Sequence, residues 1–361
     1  MPDLYGPIGC LNDLPRERLV HRHTPLVPME NLCKAVGGGS LYIKRDDCIG
    51  LAFGGNKVRQ LEFYLGEALA EGADTIMITG AVQSNFARTA AAASRKLGLG
   101  CHIQLEERVA RNDTEYRNNG NVLLEHLFGA TLHSYPQGED EAGADRNLQE
   151  IANRLEDNGH RPYIIHMLPD HKPLGALGYV VAAQELLQQI AETGITVDEI
   201  VVASGSGHTY AGLLFGLRAL ESDIRVTGVC VRRNVEQQYP RMQTRFKQIA
   251  ELLDMESKVT NNDIHLIDDY LAPGYGLASQ DVFAAIFLGA QYEALVLDPC
   301  YMGKTMAGTL DRAVAGREDK KNLLMIHTGG TPAIFAYGKD LREAHQNLKE
   351  WPDQNKWGVR K

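Results

Sequence analysis

Residues 201–213 read VVASGSGHTYAGL, a pattern that predicts a buried strand, a glycine-rich turn and the start of a helix. Backbone N–H groups in such a turn point outward, and the helix dipole favours an anion at the N-terminus. Ser206 and Thr209 add two hydroxyl donors to the turn. The turn lacks the Gly-Lys-Ser/Thr of a P-loop and the full dinucleotide fingerprint. It therefore predicts a phosphate cradle of another kind, and a tight turn without a ligand is the simpler alternative.

Apolar strand patterns alternate with helical patterns along the rest of the chain. Continuous apolar runs separated by helices are typical of parallel sheets covered on both faces, so we predict an α/β fold with parallel-rich twisted sheets flanked by helices. A long helix is predicted at residues 177–192. Ligands of parallel sheets lie beyond the carboxyl ends of the strands, where residues 80–85, 205–209 and 328–331 are predicted to meet. The predicted strands are residues 75–79, 101–105, 163–165, 200–203, 226–231, 294–297 and 323–326.

Composition and charge narrow the class of protein. The chain has 361 residues, 44% of them hydrophobic, which is enough for a large core in one large or two medium domains. A formal net charge of -9 argues against nucleic-acid binding, and no apolar run reaches the ~18 residues of a membrane span. The start of the chain lacks the order of a signal peptide, so a cytoplasmic location is predicted. The six cysteines are scattered without a Cys-x-x-Cys pair, which predicts reduced thiols and no metal site.

A second informative stretch is residues 52–60, AFGGNKVRQ, in which Lys57 follows two glycines and precedes a helix pattern. Glycine lets the backbone approach a flat cofactor closely, and a partly desolvated lysine amine can act as an imine partner and proton carrier. A solvated surface lysine is the ordinary alternative. Together, an imine-forming lysine and a phosphate cradle favour pyridoxal phosphate over a nucleotide.

Five further motifs follow one another between Leu11 and Tyr337: FGGNK at 53–57, QSN at 83–85, PGYG at 273–276, DPCYMGK at 298–304 and HTGG at 327–330. Together they resemble the group of D-cysteine desulfhydrases and aminocyclopropane-carboxylate deaminases, within the fold-type II pyridoxal-phosphate enzymes related to tryptophan synthase β. The resemblance implies a homodimer that takes pyridoxal phosphate and a small amino-acid substrate. It also implies two domains and a tail: a large cofactor-binding domain of residues 1–55 and 166–340, a small domain of residues 56–165, and a C-terminal tail of residues 341–361.

The resemblance also assigns roles to residues of this chain. It implies that Lys57 forms the Schiff base, that Ser84 faces the substrate carboxylate, and that Tyr275 and Tyr301 stand near the reacting substrate. By residue chemistry alone, Ser84 also suits an N-cap, Tyr275 an exposed turn and Tyr301 a packing position. The residues that the resemblance places on the cofactor are Lys57, Asn85, Ser206, Gly207, His208, Thr209 and Thr328.

Two positions separate the activities of this group. The deaminase branch typically carries glutamate at the position of Met302 and leucine at that of Thr328, while the desulfhydrase branch carries threonine at the latter. A neutral hydroxyl partner for the pyridine nitrogen gives a weaker electron sink, which suits loss of a good leaving group from Cβ. We therefore predict β-elimination from a cysteine-like amino acid, by resemblance the D form, to pyruvate, ammonia and sulfide, with Lys57 removing the Cα proton. The alternatives are a cysteate sulfo-lyase that releases sulfite, an aminocyclopropane-carboxylate deaminase, and a catalytically silent protein that binds pyridoxal phosphate or an amino acid.

Several residues depart from the pattern of the group. Gln60 replaces a lysine that is usual near the phosphate, so we predict that a protonated His208 in the cradle supplies the missing cation; a solvent-facing His208 is the alternative. Phe86 replaces a polar residue and either removes a polar group from the substrate side or packs inward. Residues 166–173, HMLPDHKP, replace a glycine-rich stretch. Their two histidines and Lys172 are predicted to face the site and favour an acidic leaving group, with a solvated loop as the alternative.

Overall fold

The computed structural model describes residues 8–168, 170–347 and 356–359, and the strands in these ranges form two sheets. Neighbouring strands pair in parallel, except for the antiparallel first pair of the larger sheet. In spatial order, the larger sheet contains β1 (Leu26–Pro28), β2 (Leu41–Arg45), β10 (Leu323–His327), β7 (Glu199–Ser204), β8 (Arg225–Cys230) and β9 (His265–Ile267). The smaller sheet contains β5 (Thr131–Tyr135), β4 (Gly100–Glu106), β3 (Thr75–Ala81) and β6 (Pro162–Ile165).

Helices connect most of these strands. The helix predicted at residues 177–192 is present as the seventh of the described helices, and it extends a few residues further at its N-terminal end. None of the helices in the described ranges has the length and apolar character that a membrane crossing requires. The helices are α1 (Glu30–Val36), α2 (Asn56–Ala70), α3 (Asn85–Lys96), α4 (Thr114–Asn118), α5 (Asn121–Leu127), α6 (Glu141–Asp157), α7 (Leu174–Thr193), α8 (His208–Ala219), α9 (Val235–Leu252), α10 (Gln280–Glu293), α11 (Met302–Ala315) and α12 (Gly338–Asn347).

Helices cover both faces of the larger sheet because its central strands are apolar on both sides. Successive side chains of a strand point to opposite faces. In β10, Leu324 and Ile326 pack into a core with residues of α2, α7 and α8. Leu323 and Met325 pack into a second core with residues of α10 and α11. The predicted α/β fold with parallel-rich sheets flanked by helices is therefore confirmed.

The two sheets divide the chain in a simple way. All strands of the smaller sheet fall between residues 75 and 165, and all strands of the larger sheet fall outside that range. The first core nevertheless contains residues from both sheets, such as Ile76 and Ile200. The domain boundaries implied by the family resemblance remain a prediction.

A buried ion network fixes the start of α2. Arg59 donates to both carboxylate oxygens of Asp46 and to both of Glu185, over distances of 2.8–3.1 Å. Lys44 also donates to Glu185, and the Tyr179 hydroxyl donates to Asp46. The network joins the end of β2, the first turn of α2 and the middle of α7. It therefore holds the helix that carries Lys57 against the larger sheet.

Two predictions about local structure are wrong. Residues 294–297 do not form a strand: Ala294 ends α10 in the left-handed conformation, and the run then packs Leu295 and Leu297 into the second core. The second prediction concerns residues 351–361, whose mildly basic composition at the end of the chain predicts a frayed tail. Residues 341–347 belong to α12, and Trp357 is buried, with its indole N–H donating to Asp311 at 2.7 Å. The tail residues 348–355 and 360–361 lie outside the described residues.

Candidate active site

β3, β7 and β10 end at the rim of one cavity, and α2, α3 and α8 begin there. The three loops that the sequence predicted to meet at the carboxyl ends of the strands therefore converge. Residues from both sheets and their loops line the cavity, which places it at the edge where parallel sheets bind ligands. Of the site residues predicted from the sequence, Lys57, Ser84, Asn85, Ser206, Gly207, Thr209, Tyr275, Tyr301 and Thr328 line it.

Lys57 is half-buried, and its amine has no carboxylate partner among the described residues. Its Nζ donates to Gln60 Oε1 at 3.0 Å and lies 4.6 Å from the centre of the Phe86 ring. Burial lowers the pKa of Lys57 to about 7, so a large fraction of the amine is neutral at neutral pH. Gly55 permits this placement, because a Cβ there would lie 2.7 Å from the carbonyl oxygen of Thr328. A neutral amine beside two closely packed loops fits an imine-forming lysine. Phe86 is buried in the first core and also lines the cavity, so both alternatives for this position apply: it packs, and it presents an apolar ring where the group has a polar residue.

The turn before α8 has the features of an anion cradle. Gly207 adopts the left-handed conformation, with a φ of 91°, and caps α8 without a side-chain hydrogen bond to its first N–H groups. The Thr209 hydroxyl oxygen accepts from Asn56 Nδ2 at 2.8 Å and from Gln60 Nε2 at 2.9 Å. Since both acceptor positions are used, the hydroxyl proton of Thr209 is left to donate into the cavity. The first N–H groups of α8, which have no intrahelical partners, and this hydroxyl fit a phosphate.

His208 does not supply the cation predicted for the cradle. Its ring does not line the cavity and is almost fully buried, with both ring nitrogens lacking a hydrogen-bond partner among the described residues. Burial lowers the pKa of His208 well below its ordinary value, with Arg245 and Lys57 adding to the effect. The imidazole is therefore neutral at neutral pH, and only the backbone of His208 belongs to the cradle. The alternative of a solvent-facing ring is wrong as well.

Ser84 and Asn85 occupy the start of α3. Ser84 Oγ accepts from the backbone N–H of Ala87 at 3.1 Å, so this serine is an N-cap and a cavity residue at once. Asn85 Oδ1 accepts from Asn121 Nδ2 at 3.0 Å, which fixes the orientation of the Asn85 amide. Its NH₂ group remains available as a donor. Both side chains thus present donors near Lys57.

Thr328 lines the cavity at the end of β10. Its hydroxyl donates to the thioether sulfur of Met302 at 3.2 Å, and its backbone N–H lies 3.3 Å from the same sulfur. Thioether sulfur is a weak acceptor, so a stronger acceptor can compete for this hydroxyl. Met302 is fully buried and occupies the position of the deaminase glutamate with an apolar side chain.

Tyr275 and Tyr301 form a pair at one side of the cavity. Their hydroxyl oxygens are 2.6 Å apart, and their rings meet edge to face with centroids 6.0 Å apart. Burial raises the pKa of both phenols, that of Tyr301 well above its ordinary value. Lys304 Nζ supports the Tyr275 turn by donating to the carbonyl oxygens of Leu271 and Gly274, at 2.8 Å each. Both phenols are therefore protonated at neutral pH, and one hydrogen bond joins their hydroxyl groups.

Asp298 fixes the backbone of the segment that contains Tyr301. Its carboxylate accepts from the backbone N–H groups of Cys300, Tyr301 and Met302 at 2.9–3.1 Å. Burial raises the pKa of Asp298 to about 6. The residue caps α11 and fixes the backbone of Tyr301, and it does not line the cavity.

The cations of residues 166–173 face away from the cavity, contrary to the prediction. His166 Nδ1 lies 2.8 Å from Asp145 Oδ1, and the His171 ring stacks on His166 with centroids 3.8 Å apart. Lys172 Nζ lies 3.8 Å from a carboxylate oxygen of Glu67. Of the described residues in this segment, only Met167 lines the cavity. Asp145, His166 and His171 also offer potential metal-ligand atoms within 4.8 Å of one another, a grouping that cysteine spacing did not predict.

The cavity instead takes its positive charge from four residues that the sequence analysis missed. Arg108, Arg232, Arg233 and Arg241, here called the arginine cluster, all line it. Glu141, the first residue of α6, lies 2.6 Å from Arg232 and also pairs with Arg233. Three of them could have been predicted from the sequence, because they follow the carboxyl ends of strands, where ligands bind. Arg108 follows β4, and Arg232 and Arg233 follow β8.

Comparisons with known proteins agree with this geometry. The family described as "Pyridoxal-phosphate dependent enzyme" matches residues 18–329. Proteins named "D-cysteine desulfhydrase" from Klebsiella pneumoniae and Salmonella choleraesuis are each 43% identical over 332 residues, which covers 92% of this chain and 98% of the relative. A solved structure described as an ACC deaminase homologue is 35% identical, with a TM-score of 0.83, and covers 95% of this chain and 99% of its own. An O-ureido-L-serine synthase, 17% identical with a TM-score of 0.64, covers 91% of this chain and 94% of its own and shares the fold. The chain therefore belongs to the pyridoxal-phosphate dependent enzymes, as its motifs predicted, and its cofactor is pyridoxal phosphate.

Proposed function

We propose that the protein is a carbon–sulfur lyase of the D-cysteine desulfhydrase type, which removes a sulfur leaving group from Cβ of a cysteine-like amino acid. One observation carries the proposal: a half-buried lysine with a pKa near 7 shares a cavity with a phosphate cradle and a hydrogen-bonded tyrosine pair. The relatives named D-cysteine desulfhydrase support the choice of leaving group and of the D form.

The cofactor-binding roles follow from the donors around the cavity. When bound, pyridoxal phosphate supplies the electron sink for the carbanion at Cα. Ser206, Thr209 and the first N–H groups of α8 would hold its phosphate, and Lys57 would attach it. The Asn85 amide would donate to the cofactor, and Thr328 would offer it a neutral hydroxyl in place of a carboxylate.

Lys57, Ser84 and the tyrosine pair act on the substrate. Burial lowers the pKa of Lys57 to about 7, so its free amine is largely neutral at neutral pH and would take the Cα proton. The Ser84 hydroxyl donates to the substrate carboxylate. Tyr275 and Tyr301 keep their protons at neutral pH, since burial raises both phenol pKa values, so the pair acts as an acid towards the departing sulfur.

The overall reaction needs no oxidant or reductant. The Cβ–S bond breaks and its electron pair leaves with sulfur, while the Cα proton is lost to Lys57. The three-carbon product then hydrolyses to pyruvate and ammonia. Cyclopropane opening is disfavoured, because the buried Met302 has no proton to move where the deaminase branch carries glutamate.

The test is turnover by the purified, cofactor-loaded protein. D-cysteine should yield equal amounts of pyruvate and sulfide, and the aminocyclopropane carboxylate should yield negligible ketobutyrate. Lys57→Ala should lose turnover and the visible absorbance of the bound cofactor. Lys34→Ala, at a lysine that is 75% exposed, is the matched control and should keep both. Borohydride reduction and peptide mass spectrometry should locate the cofactor on Lys57.

Two outcomes would contradict the proposal. Attachment of the cofactor at another lysine would remove Lys57 from its role. A loaded protein that forms pyruvate from no sulfur amino acid would favour the catalytically silent alternative. A homodimer and a cytoplasmic location also belong to the proposal; light scattering of the purified protein and fractionation of cells test them.

A further inference from the structure

We propose that the arginine cluster is a binding site for a second anionic group on the substrate, so that the preferred substrates are amino acids with an acidic substituent at Cβ, such as a sulfonate. The inference rests on the proposed function and narrows its substrate class. It replaces the role that the sequence assigned to the cations of residues 166–173, which the structure turns away from the cavity.

The cluster has more positive charge than its protein partners neutralise. Arg108 pairs in a bidentate manner with Glu106, at 2.7 and 2.8 Å. The other three arginines share Glu141, with Arg241 3.7 Å from it. Four guanidinium groups face two carboxylates, the buried Glu106 and the 24% exposed Glu141, which leaves two positive charges before Lys57 is counted. Glu139 also lies 3.8 Å from Arg232, but it is 79% exposed, so solvent screens its charge.

Burial makes this excess costly. The four arginine side chains are only 11–16% exposed. Arg241 Nε has no hydrogen-bond partner among the described residues, and burial lowers the pKa of Arg241 to about 10, with Arg233 adding to the effect. A buried charge without a counterion is destabilising, and a bound anion removes that cost. The cluster therefore has the properties of a site completed by its ligand.

The cofactor phosphate does not account for the whole cluster. The phosphate cradle lies at the start of α8, and Arg241 is the member on that side, 3.5 Å from the carbonyl oxygen of Met167 and close enough to act on His208. Arg108 and Arg232 lie on the other side, where their charges act on the Tyr275 hydroxyl. Under the proposed function, in which the tyrosine pair acts as an acid, that is the side on which the Cβ substituent departs. We therefore assign Arg108 and Arg232 to the substrate anion.

Arginine suits such a ligand because its planar fork donates two parallel hydrogen bonds to a carboxylate or sulfonate. With cysteate as substrate, the Cβ–S bond breaks and its electron pair leaves with sulfur as sulfite. The Cα proton goes to Lys57, and water converts the three-carbon product to pyruvate and ammonia. Atoms and electrons balance without a further reactant.

A binding experiment tests the site without turnover. The probes are 3-sulfopropanoate and propanoate, which differ only in the sulfonate, titrated calorimetrically into the cofactor-loaded protein. The sulfonate should bind at least about tenfold more tightly, as a charged hydrogen-bond pair predicts. Arg232→Gln and Arg108→Gln should each reduce this ratio about tenfold, and Arg232→Lys should restore part of it. Arg225→Gln, at the opposite end of β8, is the matched control and should keep the wild-type ratio.

Equal affinities of the two probes for wild-type protein would overturn the inference, and so would a ratio that persists in both Gln variants. If the variants weaken cofactor binding but leave the ratio unchanged, the cluster serves only the phosphate and the inference is wrong. Pyruvate release from both enantiomers of cysteate and cysteine separates this inference from the proposed function. Tight sulfonate binding without any turnover would overturn the function alone, and turnover of D-cysteine without a sulfonate preference would overturn the site alone.

Discussion

Replacing Arg59 with leucine removes the centre of the ion network that holds the start of α2. Arg59 donates to Asp46 through Nε and Nη2 at 2.9 Å each, and to Glu185 through Nη1 at 2.8 Å and Nη2 at 3.1 Å. In the variant, the two buried carboxylates keep Lys44 as a cationic neighbour. Burial lowers the pKa of Lys44, so its charge is itself disfavoured. Removing one partner of a buried ion pair costs about 3–5 kcal/mol, because the remaining charge stays desolvated. We expect a loss of that size in the free energy of unfolding.

Urea unfolding followed by circular dichroism measures this loss. With a slope of ~3 kcal/mol per molar urea, the midpoint should fall by about 1 M or slightly more. Arg161→Leu is the matched control, because Arg161 is 72% exposed and lies 3.9 Å from Asp74; its effect should stay within about 0.5 kcal/mol. A midpoint shift for Arg59→Leu no larger than that of the control would refute the reasoning.

The pH dependence of the loss provides a second check. Although burial raises the pKa of the Asp46 and Glu185 carboxyls, the Arg59 guanidinium holds both below their ordinary values of 3.8 and 4.5. Groups with a lowered folded-state pKa stabilise the protein above their unfolded pKa, and this stability disappears as the pH falls through the folded value. The difference between wild type and Arg59→Leu should therefore be full at neutral pH and shrink below about pH 4. A difference that grows on acidification would contradict the assignment.

Three further predictions concern the cavity. Gln60→Ala removes the acceptor of Lys57 and a donor to Thr209, so cofactor-free protein should bind pyridoxal phosphate about three- to tenfold more weakly in an absorbance titration; an unchanged dissociation constant would count against this. Because burial lowers the pKa of Lys57 to about 7, the rate of cofactor attachment should rise roughly tenfold from about pH 6 to pH 8 and then level off, whereas an ordinary lysine gives a rise that continues. The double variant His166→Ala and His171→Ala should change kcat/KM by less than about twofold for cysteine and cysteate alike, because both rings face Asp145; a loss confined to cysteate would restore the loop hypothesis.

The sequence predicted the sheets and the loops of the site because each rests on local patterns. Apolar runs followed by glycine gave β3, β7 and β10, and the carboxyl-end rule then placed Ser84, Gly207 and Thr328 together. The apolar run at 294–297 predicted a strand that does not form, and the reason is physical. An apolar run predicts burial but not strand pairing, and Leu295 and Leu297 are buried in the second core without joining either sheet.

The direction of charged side chains was less predictable, because it depends on partners distant in the sequence. The histidines and the lysine of residues 166–173 contact Asp145 on α6 and Glu67 on α2. The arginine cluster instead brings together residues that follow β4 and β8 and one residue of α9. Neither arrangement is visible in the spacing of residues. The same holds for His208, since its neutral state follows from the burial of its ring rather than from its place in the cradle.

In the proposed arrangement, Arg108 and Arg232 place positive charge on the substrate side of the cavity. Gln60, in place of a lysine, binds Lys57 and Thr209 with a neutral amide, so Arg241 is the member of the arginine cluster that supplies a cation beside the N–H groups and hydroxyls of the cradle. The pKa of Lys57 is lowered by burial without a neighbouring cation, which keeps its basicity independent of the arginine cluster. The reactive lysine and the proposed anion site can therefore be altered separately. Substitutions at Arg108 or Arg232 should change which substituent is accepted while leaving cofactor attachment at Lys57 intact.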